Sequence, residues 1–307
     1  MALFKNILET IGNTPLVRLQ KIESTYDVFN RLYAKLESFN PSNNVKVRPA
    51  FYMIKSLYEN KQITKDHIIV EATSGNTGIG LAMVGAFYGN QVKLVMPETA
   101  SIERVKIMEH YGAEVILTPG DKGIVGAQEK ADFLKATSNL VVIPSQFANY
   151  NNPLAHYEMT ARELENDLLE IDYIFITVGT GGTISGIGRY FKEKKYKTKI
   201  IGIEPAMSPV LSGGKPGNHK IQGIGPSFIP KIFNYDFVDE IIKAEDDKSW
   251  QMTKIIPRLE GISVGISSGA CTASAIDYLK GNNLIDKTVV LIYPDSGEKY
   301  ISTKVFE

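Results

Sequence analysis

A lysine in a polar loop is the residue of this 307-residue chain whose position best suits covalent chemistry. Lys46 lies in the segment 40–49, where an apolar run ends and a helix is expected to begin. Pro49 fits the first helical turn, in which its missing N–H costs no hydrogen bond. The serine and asparagines before the lysine supply turn and capping groups. Most lysines are solvated, but Lys46 is expected at the mouth of a strand-to-helix crevice.

A second polar turn lies between two apolar runs. The segment 73–78, Thr-Ser-Gly-Asn-Thr-Gly, follows the apolar run 68–70 and precedes the apolar run 79–83, which predicts a strand-to-helix turn. Small donors at a helix N-terminus suit a carboxylate ligand. Taken alone, the segment has a simpler interpretation, in which Ser74 or Asn76 caps the helix.

A third turn is rich in glycine and follows the apolar run 173–178. Its residues are Gly179, Thr180, Gly181, Gly182 and Thr183. The glycines let backbone N–H groups approach a phosphate, the threonines add hydroxyls, and the next helix presents its positive end. The turn lacks the Lys-Ser/Thr ending of a P-loop and does not satisfy G-x-G-x-x-G, so a tight structural turn is the remaining alternative. A reactive lysine, a polar turn and a phosphate cradle together predict pyridoxal 5′-phosphate as the cofactor.

These motifs, with 12–17 near the start and 296–300 near the end, carry a resemblance that spans essentially the whole chain. The sequence resembles the cysteine synthase family, also called O-acetylserine sulfhydrylases, in the tryptophan synthase β-like class (fold type II) of pyridoxal phosphate enzymes. The resemblance implies two lobes. Residues 1–40 and 147–307 are expected to form a larger lobe that anchors the cofactor. Residues 41–146 are expected to form a smaller, mobile lobe that closes on substrate.

The alternation of strand and helix signals indicates the same α/β fold. It is typical of mostly parallel twisted sheets with helices on both faces. After short apolar runs at 16–19 and 31–36, strands are predicted at 68–70, 92–96, 114–117, 140–143, 173–178, 199–203, 237–242 and 289–293. Helices are predicted at 50–61, 76–88, 102–111, 123–137, 153–167, 184–195, 247–259 and 268–279. Ligands bind outside the carboxyl ends of such strands, so we expect the site in the cleft between the lobes.

The resemblance assigns roles to the residues at matching positions. Lys46 forms the Schiff base with the cofactor and then removes the α-proton of the substrate. Asn76 contacts the 3′-oxygen of the cofactor ring. The substrate carboxylate is assigned to Thr73, Ser74, Asn76, Thr77 and Gln146. Taken alone, Gln146 would be a surface side chain.

Ser267 falls where the family places a serine on the pyridine nitrogen of the cofactor. A neutral hydroxyl, unlike a carboxylate, does not keep the ring protonated, so the cofactor stores a carbanion poorly. This favours reactions in which a β-substituent leaves as the α-proton is removed, namely elimination and replacement at Cβ. The alternative for Ser267 is to cap the following helix, a role that Ser268 could fill instead.

Four positions depart from the usual pattern of the family. Asn44 stands where a small residue or serine is usual, and Val47 stands where aspartate is usual. The lysine loop is therefore expected to lose one anchoring carboxylate. Pro226 and Ser227 lie in a loop expected to line the β-substituent side of the pocket, which makes Ser227 a candidate substrate contact. These changes favour a leaving group or nucleophile different from that of a housekeeping cysteine synthase.

The predicted function is pyridoxal phosphate-dependent β-replacement on a 3-substituted L-alanine through an aminoacrylate. The first candidate is cysteine synthase, which uses O-acetyl-L-serine and sulfide, with O-phosphoserine open as another donor. The second uses L-cysteine as donor, releases hydrogen sulfide, and yields lanthionine, cystathionine or serine. A candidate from another class is a non-catalytic scaffold that binds a partner's C-terminal peptide, which the intact Lys46 argues against. The resemblance also implies a homodimer and a possible serine acetyltransferase partner.

Composition excludes several classes of partner. Lys+Arg and Asp+Glu both number 34, so no net charge attracts nucleic acid or an anionic membrane. Cys271 is the only cysteine, which excludes a disulfide within the chain and predicts a small buried hydrophobe. No apolar secretory signal, membrane-spanning stretch or metal-ligand spacing occurs, and His156 is expected to be a structural partner in a helix. The protein is expected to be cytoplasmic and to act on small amino acids.

Overall fold

The computed structural model describes residues 3–73 and 75–306, so Ser74 and its predicted role lie outside the described residues. Its strands are β1 Leu16–Arg18, β2 Arg31–Leu36, β3 Ile68–Ala72, β4 Gln91–Pro97, β5 Glu114–Thr118, β6 Val141–Val142, β7 Tyr173–Thr177, β8 Lys199–Pro205, β9 Glu240–Ala244 and β10 Thr288–Tyr293. Its helices are α1 Gln20–Thr25, α2 Val47–Glu59, α3 Asn76–Tyr88, α4 Ile102–His110, α5 Gly123–Thr137, α6 Asn151–Ala155, α7 Ala161–Asp167, α8 Gly182–Glu193, α9 Asp246–Glu260 and α10 Ile266–Gly281. None of the helices in the described ranges combines the length and apolar character that a membrane crossing needs.

The strands form two sheets, which confirms the predicted α/β fold. The larger sheet has the order β1-β2-β10-β7-β8-β9, and only the β1–β2 pair is antiparallel among its described strands. The smaller sheet has the order β5-β4-β3-β6 and is parallel. Strand β10 shows why both faces are covered. Val289 and Leu291 pack on one hydrophobic cluster with α10, whereas Val290 and Ile292 pack on another with α8.

Three elements differ from the prediction. The helix predicted at 153–167 is interrupted by a π-helical turn, His156–Thr160, between α6 and α7. Such turns often occur at functional sites. The strand predicted from residue 237 begins at Glu240, because Tyr235–Phe237 forms a 3₁₀ turn capped by the Asn234 side chain. The six-residue helix α1 was not predicted.

The ends of three parallel strands carry the predicted motifs to one edge of the fold. Lys46 follows β2 and immediately precedes α2, the segment 73–77 follows β3, and the segment 179–183 follows β7. Helix α8 begins at Gly182, two residues earlier than predicted, so Gly182 lies in its first turn. The backbone N–H groups of this turn therefore have the orientation that anion binding needs.

The start of α2 is fixed by a buried ion-pair network. Arg48 is fully buried and pairs with Glu37 at 2.7 Å and with Glu163 at 2.8 Å. Lys35, also fully buried, pairs with Glu163 at 3.0 Å. Removing one member would leave a buried charge uncompensated. The network therefore holds the helix that positions Lys46 against β2 and α7.

Candidate active site

A cavity of about 270 Å³ lies at the carboxyl ends of strands from both sheets. Its lining contains these predicted site residues: Lys46, Thr73, Asn76, Thr77, Gln146, Gly179, Thr180, Thr183, Ser227 and Ser267. Gly181 and Gly182 belong to the same turn as Gly179 but do not line the cavity. The lining also contains Arg104, Gln222 and Tyr300, which the sequence analysis did not select. Residues separated by more than two hundred positions thus converge on one space.

The loop that carries Lys46 is well anchored, contrary to the expectation based on Val47. The Lys46 N–H donates to Asn44 Oδ1 at 2.8 Å. Lys299 Nζ donates to the carbonyl oxygen of Asn43 at 2.6 Å, from the far end of the chain. Val47 is completely buried in the hydrophobic cluster of the smaller sheet. The Asn44 amide, the Lys299 ammonium and the packing of Val47 therefore anchor the loop, which has no carboxylate at position 47.

The environment of Lys46 favours a reactive amine. Burial lowers the pKa of Lys46 to about 8, and the attraction of Asp295 and then Glu37 opposes that shift. With such a pKa, about a tenth of the amine is neutral at about pH 7, against less than about a thousandth for an ordinary lysine. A neutral amine can attack a carbonyl and can accept a proton.

The segment 179–183, called the phosphate turn below, is shaped by close backbone packing. A Cβ on Gly179 would lie 2.6 Å from the carbonyl oxygen of Gly223. A Cβ on Gly182 would lie 2.0 Å from Asn152 Oδ1, and Gly181 adopts the left-handed conformation at φ +82°. Glycine is therefore required at these positions on steric and conformational grounds.

Two polar side chains behind the phosphate turn orient its threonines. Asn152 Nδ2 donates to Thr180 Oγ1 at 3.2 Å. His156 is buried in the π-helical turn, with Nε2 3.2 Å from Thr183 Oγ1 and Nδ1 3.0 Å from Thr160 Oγ1. Burial lowers the pKa of His156 well below its ordinary value, so the ring is neutral and bridges two hydroxyls. The prediction that His156 is a structural partner agrees with these contacts.

The segment 73–77 is called the carboxylate turn below. The side chains of Thr73, Asn76 and Thr77 face the cavity and do not cap α3. The N-cap of α3 is Gly75, which has no capping side chain. Asn76 Nδ2 instead donates to Asp295 Oδ2 at 2.6 Å, and Thr77 Oγ1 donates to Gln146 Oε1 at 2.5 Å. The capping alternative for Asn76 is therefore wrong, and the amide is oriented by a distant carboxylate.

The position of Gln146 is fixed from two directions. Glu71, buried at the end of β3, accepts from the N–H groups of Ser145 at 2.8 Å and Gln146 at 3.3 Å. Burial raises the pKa of Glu71 to about 8 despite these two donors. Asn152 Nδ2 donates to the Gln146 carbonyl at 2.8 Å and also reaches Thr180. Asn152 thus connects Gln146, the partner of Thr77, with the phosphate turn.

The cavity has the features that pyridoxal phosphate needs. Two lining atoms, Asn76 Oδ1 and Thr177 Oγ1, are buried and have no hydrogen-bond partner among the described residues. Lys46 supplies the amine for the aldehyde, and the phosphate turn supplies N–H groups and hydroxyls for the phosphate. Ser267 lines the cavity from the second position of α10, whose N-cap is Gly265 rather than a serine. No carboxylate lines the cavity in the part of the chain that the structure describes, so a pyridine nitrogen bound beside Ser267 would meet a neutral environment.

Four residues that contribute to the site escaped the sequence analysis. They are Glu71, Asn152, Asp295 and Arg104. Two had a usable signal: Glu71 is a charge inside an apolar strand, and Asp295 follows Pro294 at the end of the central strand β10. Cys271, in contrast, behaves as predicted, because it is buried, its pKa is raised by burial, and its thiol donates to the carbonyl of Phe175 at 3.3 Å.

The chain matches known sequences along nearly its full length. The family described as pyridoxal-phosphate dependent enzyme matches residues 7–295. A Bacillus subtilis protein named probable cysteine synthase is 44% identical over 305 residues, which cover 98% of this chain and 97% of that protein.

Solved structures share the same fold. A hydrogen sulfide-producing enzyme from Fusobacterium nucleatum has a TM-score of 0.93 and 44% identity, over 97% of this chain and 100% of that one. A cysteine synthase from Entamoeba histolytica has a TM-score of 0.95 and 40% identity, over 99% of this chain and 91% of that one. The chain therefore belongs to the pyridoxal-phosphate dependent enzymes and, within them, to the cysteine synthase family.

Proposed function

We propose that the protein is a cysteine synthase that makes L-cysteine from O-acetyl-L-serine and sulfide. The observation that carries the proposal is the convergence of Lys46, the phosphate turn and the carboxylate turn on one cavity. The Bacillus subtilis relative, matched over 97% of its length, is named probable cysteine synthase. An intact, partly neutral Lys46 in the cavity argues against the scaffold alternative, because peptide binding alone needs no reactive amine.

Cofactor binding is assigned to residues on both sides of the cavity. Pyridoxal phosphate, when bound, supplies the electron sink that makes the substrate α-proton acidic. The phosphate turn holds the phosphate, Lys46 carries the aldehyde carbon, Asn76 donates to the ring oxygen, and Ser267 meets the ring nitrogen. Lys46 is then the group that takes the α-proton, since its lowered pKa makes it a better base near neutral pH.

Substrate binding is assigned to the carboxylate turn and its partner. Thr73, Thr77 and Gln146 surround the N-terminus of α3, where backbone N–H groups and the helix dipole favour an anion. Ser227 lines the same cavity, which makes it the candidate contact for the β-substituent of a substrate whose carboxylate binds there. The predicted role of Ser74 belongs to the same turn but lies outside the described residues.

The neutral lining supports replacement at Cβ rather than transamination. No carboxylate among the described lining residues would keep the ring nitrogen of a bound cofactor protonated, so the cofactor would be a weak electron sink suited to substrates that lose a β-group. A 3-substituted L-alanine with a good leaving group meets this requirement. Ser267 can donate or accept without changing its charge, which fits such a nitrogen.

We propose that residues 41–146 move as a smaller lobe against 1–40 and 147–307. All four strands of the smaller sheet fall within 41–146. Side-chain contacts join the two regions near the cavity, such as Ser101 Oγ to the Lys299 carbonyl at 3.1 Å. Hydrogen exchange with and without unreactive L-alanine tests the movement. Equal protection in α4 under both conditions would count against closure.

The second candidate uses L-cysteine as donor and releases hydrogen sulfide. Pro226 and Ser227, which depart from the family pattern, both line the cavity, as expected from the place of their loop in the family. The Fusobacterium nucleatum protein, 44% identical, is a hydrogen sulfide-producing enzyme. A hydroxyl at Ser227 can orient a second nucleophile such as a thiol or water. The resulting products would be lanthionine, cystathionine or serine.

Product analysis separates the two candidates. Purified holoenzyme is incubated with O-acetyl-L-serine or with L-cysteine, each with and without sulfide, and the products are identified by mass spectrometry. Cysteine formed only from O-acetyl-L-serine plus sulfide supports the first candidate. Sulfide released from L-cysteine, with a thioether or serine as co-product, supports the second. No product under any condition would refute both.

The assembly and location are proposed from the family resemblance. We propose a homodimer in the cytoplasm, with serine acetyltransferase as a possible partner whose C-terminus enters the substrate side of the cavity. Light scattering that gives a mass near that of one 34.0 kDa chain would exclude the dimer. Co-purification with a serine acetyltransferase, lost when its last residues are removed, would support the partner.

A further inference from the structure

A buried carboxylate without an assigned role lies beside the cavity. Asp295 follows β10 and is 1% exposed. Its Oδ2 accepts hydrogen bonds from Asn76 Nδ2 at 2.6 Å and from Tyr300 Oη at 2.9 Å. Its Oδ1 is buried and has no hydrogen-bond partner within the described ranges. A buried carboxylate that is only half satisfied is costly, so its presence requires an explanation.

The contact with Asp295 determines which way the Asn76 amide points. A carboxylate oxygen can only accept, so the amide must turn its nitrogen toward Asp295. The reversed amide would place two oxygen atoms in contact at 2.6 Å. The second hydrogen on Nδ2 therefore stays available, and Asn76 is set as a donor toward a negatively charged oxygen in the cavity.

Asp295 also lies beside the loop that carries Lys46, because its backbone pairs with Asn44 and the Val45 N–H donates to the Pro294 carbonyl at 2.8 Å. The titratable groups that face Lys46 are Asp295, Glu37 and His156, and the two acids raise its pKa while burial lowers it. Glu37 is engaged in an ion pair with Arg48 at 2.7 Å. No salt bridge in the described part of the chain includes Asp295, so its charge is not neutralised in the same way. The other charged or titratable groups around Asp295 are Lys299, Glu298, Tyr300 and Arg104.

We propose that Asp295 is a positioning residue that fixes the amide of Asn76 and whose negative charge, without a direct ion pair, favours the ammonium form of Lys46 in the resting apoenzyme. The inference rests on the proposed function for the roles of these two neighbours. A purely structural role is the competing explanation, because the Asp295 carbonyl accepts from Gly265 N at 3.1 Å and its backbone pairs with Asn44. These backbone contacts persist in a neutral variant, so charge and fold can be separated.

The test compares Asp295→Asn with the matched control Glu298→Gln, which removes an exposed charge from the same segment. The rate at which the apoenzyme captures pyridoxal phosphate is measured from about pH 6.5 to about pH 9.5, since capture needs the neutral amine of Lys46. Turnover of the holoenzyme with O-acetyl-L-serine and sulfide is measured in parallel. Asp295→Ser, with a smaller side chain, replaces the asparagine variant if the amide does not fit beside Gly265.

Loss of the Asp295 charge should separate two readouts that a structural defect would lower together. The midpoint of the capture profile should fall by about 0.5 to 1 pH unit, so capture at about pH 7 becomes roughly 3- to 10-fold faster. In contrast, kcat should fall about tenfold or more while KM changes less than about threefold, because Asn76 is no longer oriented. Glu298→Gln should change neither readout, since an exposed charge is screened.

Several outcomes would overturn the proposal. A capture midpoint unchanged in both neutral variants would do so, as would an equal shift in Glu298→Gln. Failure of both neutral variants to fold would show that Asp295 acts in folding instead. If instead the proposed function is wrong, the wild-type protein itself gives the negative result. Its apoenzyme would capture no pyridoxal phosphate, or its holoenzyme would form no cysteine.

Discussion

The two sides of the cavity are held in place by different physical means. The phosphate turn is fixed by steric fit, since a Cβ on Gly179 or Gly182 would collide with neighbouring atoms. The lysine and carboxylate side is fixed by hydrogen bonds that involve buried ionisable groups, above all Glu71 and Asp295. Steric fit does not change with pH, whereas Glu71, whose pKa burial raises to about 8, can lose its proton near that pH. We therefore expect phosphate anchoring to tolerate pH changes that alter the substrate side.

The largest effect is expected from Lys46→Ala, which removes the one covalent anchor and leaves both turns intact. Turnover should fall by about 10³-fold or more, because the amine is both attachment point and base. The variant should still bind pyridoxal phosphate through the phosphate turn, without the visible absorption of lysine-bound cofactor. Equilibrium dialysis and absorption spectra check both statements. Wild-type turnover in this variant would refute the assignment of Lys46.

The next largest effect is expected from Gly182→Ala, which disturbs the close packing that fixes the phosphate turn. The new Cβ would lie 2.0 Å from Asn152 Oδ1, so the turn must shift. Overpacking of this kind costs about 1 to 3 kcal/mol, which predicts a loss of pyridoxal phosphate affinity of about 10- to 100-fold. Gly281→Ala is the matched control, because nothing lies within 4 Å of a Cβ at the end of α10. Unchanged affinity in Gly182→Ala would contradict the steric argument.

Asn152→Ala should have a smaller effect. It tests whether the two sides of the cavity are coupled, because Asn152 bonds to Gln146 on one side and to Thr180 on the other. It loses the bonds to the Gln146 carbonyl and to Thr180, at a cost of about 1 to 3 kcal/mol, which predicts a roughly tenfold lower kcat/KM. The matched control is Asn151→Ala, whose side chain bonds only to Asn149 in the described structure. In the double variant with Gly182→Ala, the collision partner is gone. The two penalties should therefore not add, and simple additivity would show that the residues act independently.

The smallest effect on activity is expected from Glu71→Gln, which alters the lysine and carboxylate side of the cavity. Its main effect is on how stability depends on pH. Burial raises the pKa of Glu71 from 4.5 to about 8, so the folded protein retains a proton that the unfolded chain releases between these values. Stability contributed by this group therefore falls as pH rises through that window. The variant cannot titrate, so its free energy of unfolding relative to wild type should rise by up to about 4 kcal/mol from about pH 5 to about pH 8, at about 1.4 kcal/mol per pH unit.

Urea unfolding at several pH values measures this difference. Glu129→Gln is the control, because that carboxylate is 64% exposed in the structure. Its stability relative to wild type should stay nearly constant across the same pH range. A constant difference in Glu71→Gln would mean that Glu71 is ionised throughout and that the two backbone donors outweigh burial.

Most of the fold could be predicted from the sequence, because strand and helix signals are local. The bounds of α3 and α5 agree with the prediction, and those of β2 agree with its apolar run. The interruption of the predicted helix at 153–167 could not be foreseen, since the π-helical turn depends on where His156 meets Thr183. The short helix α1 lacked a clear periodic signal and was missed for the same reason that short elements generally are.

The site was predicted to a similar extent and for a similar reason. Lys46 and the two turns carry their own signatures within a few residues. Asp295 carries only its place after the central strand, because its role depends on a contact with Asn76, 219 positions away. The anchoring of the lysine loop without a carboxylate at Val47 could not be predicted either, because Lys299, near the end of the chain, donates to Asn43.

The sequence alone determined the fold class, the three turns at strand ends, the cofactor and the family. These properties follow from the spacing of apolar residues and from short motifs, which the chain carries wherever it folds. Only the tertiary structure decided which buried acids and amides complete the site. The packing of two sheets brings segments from distant parts of the chain within hydrogen-bond distance, and burial there sets the pKa of Lys46 and Glu71.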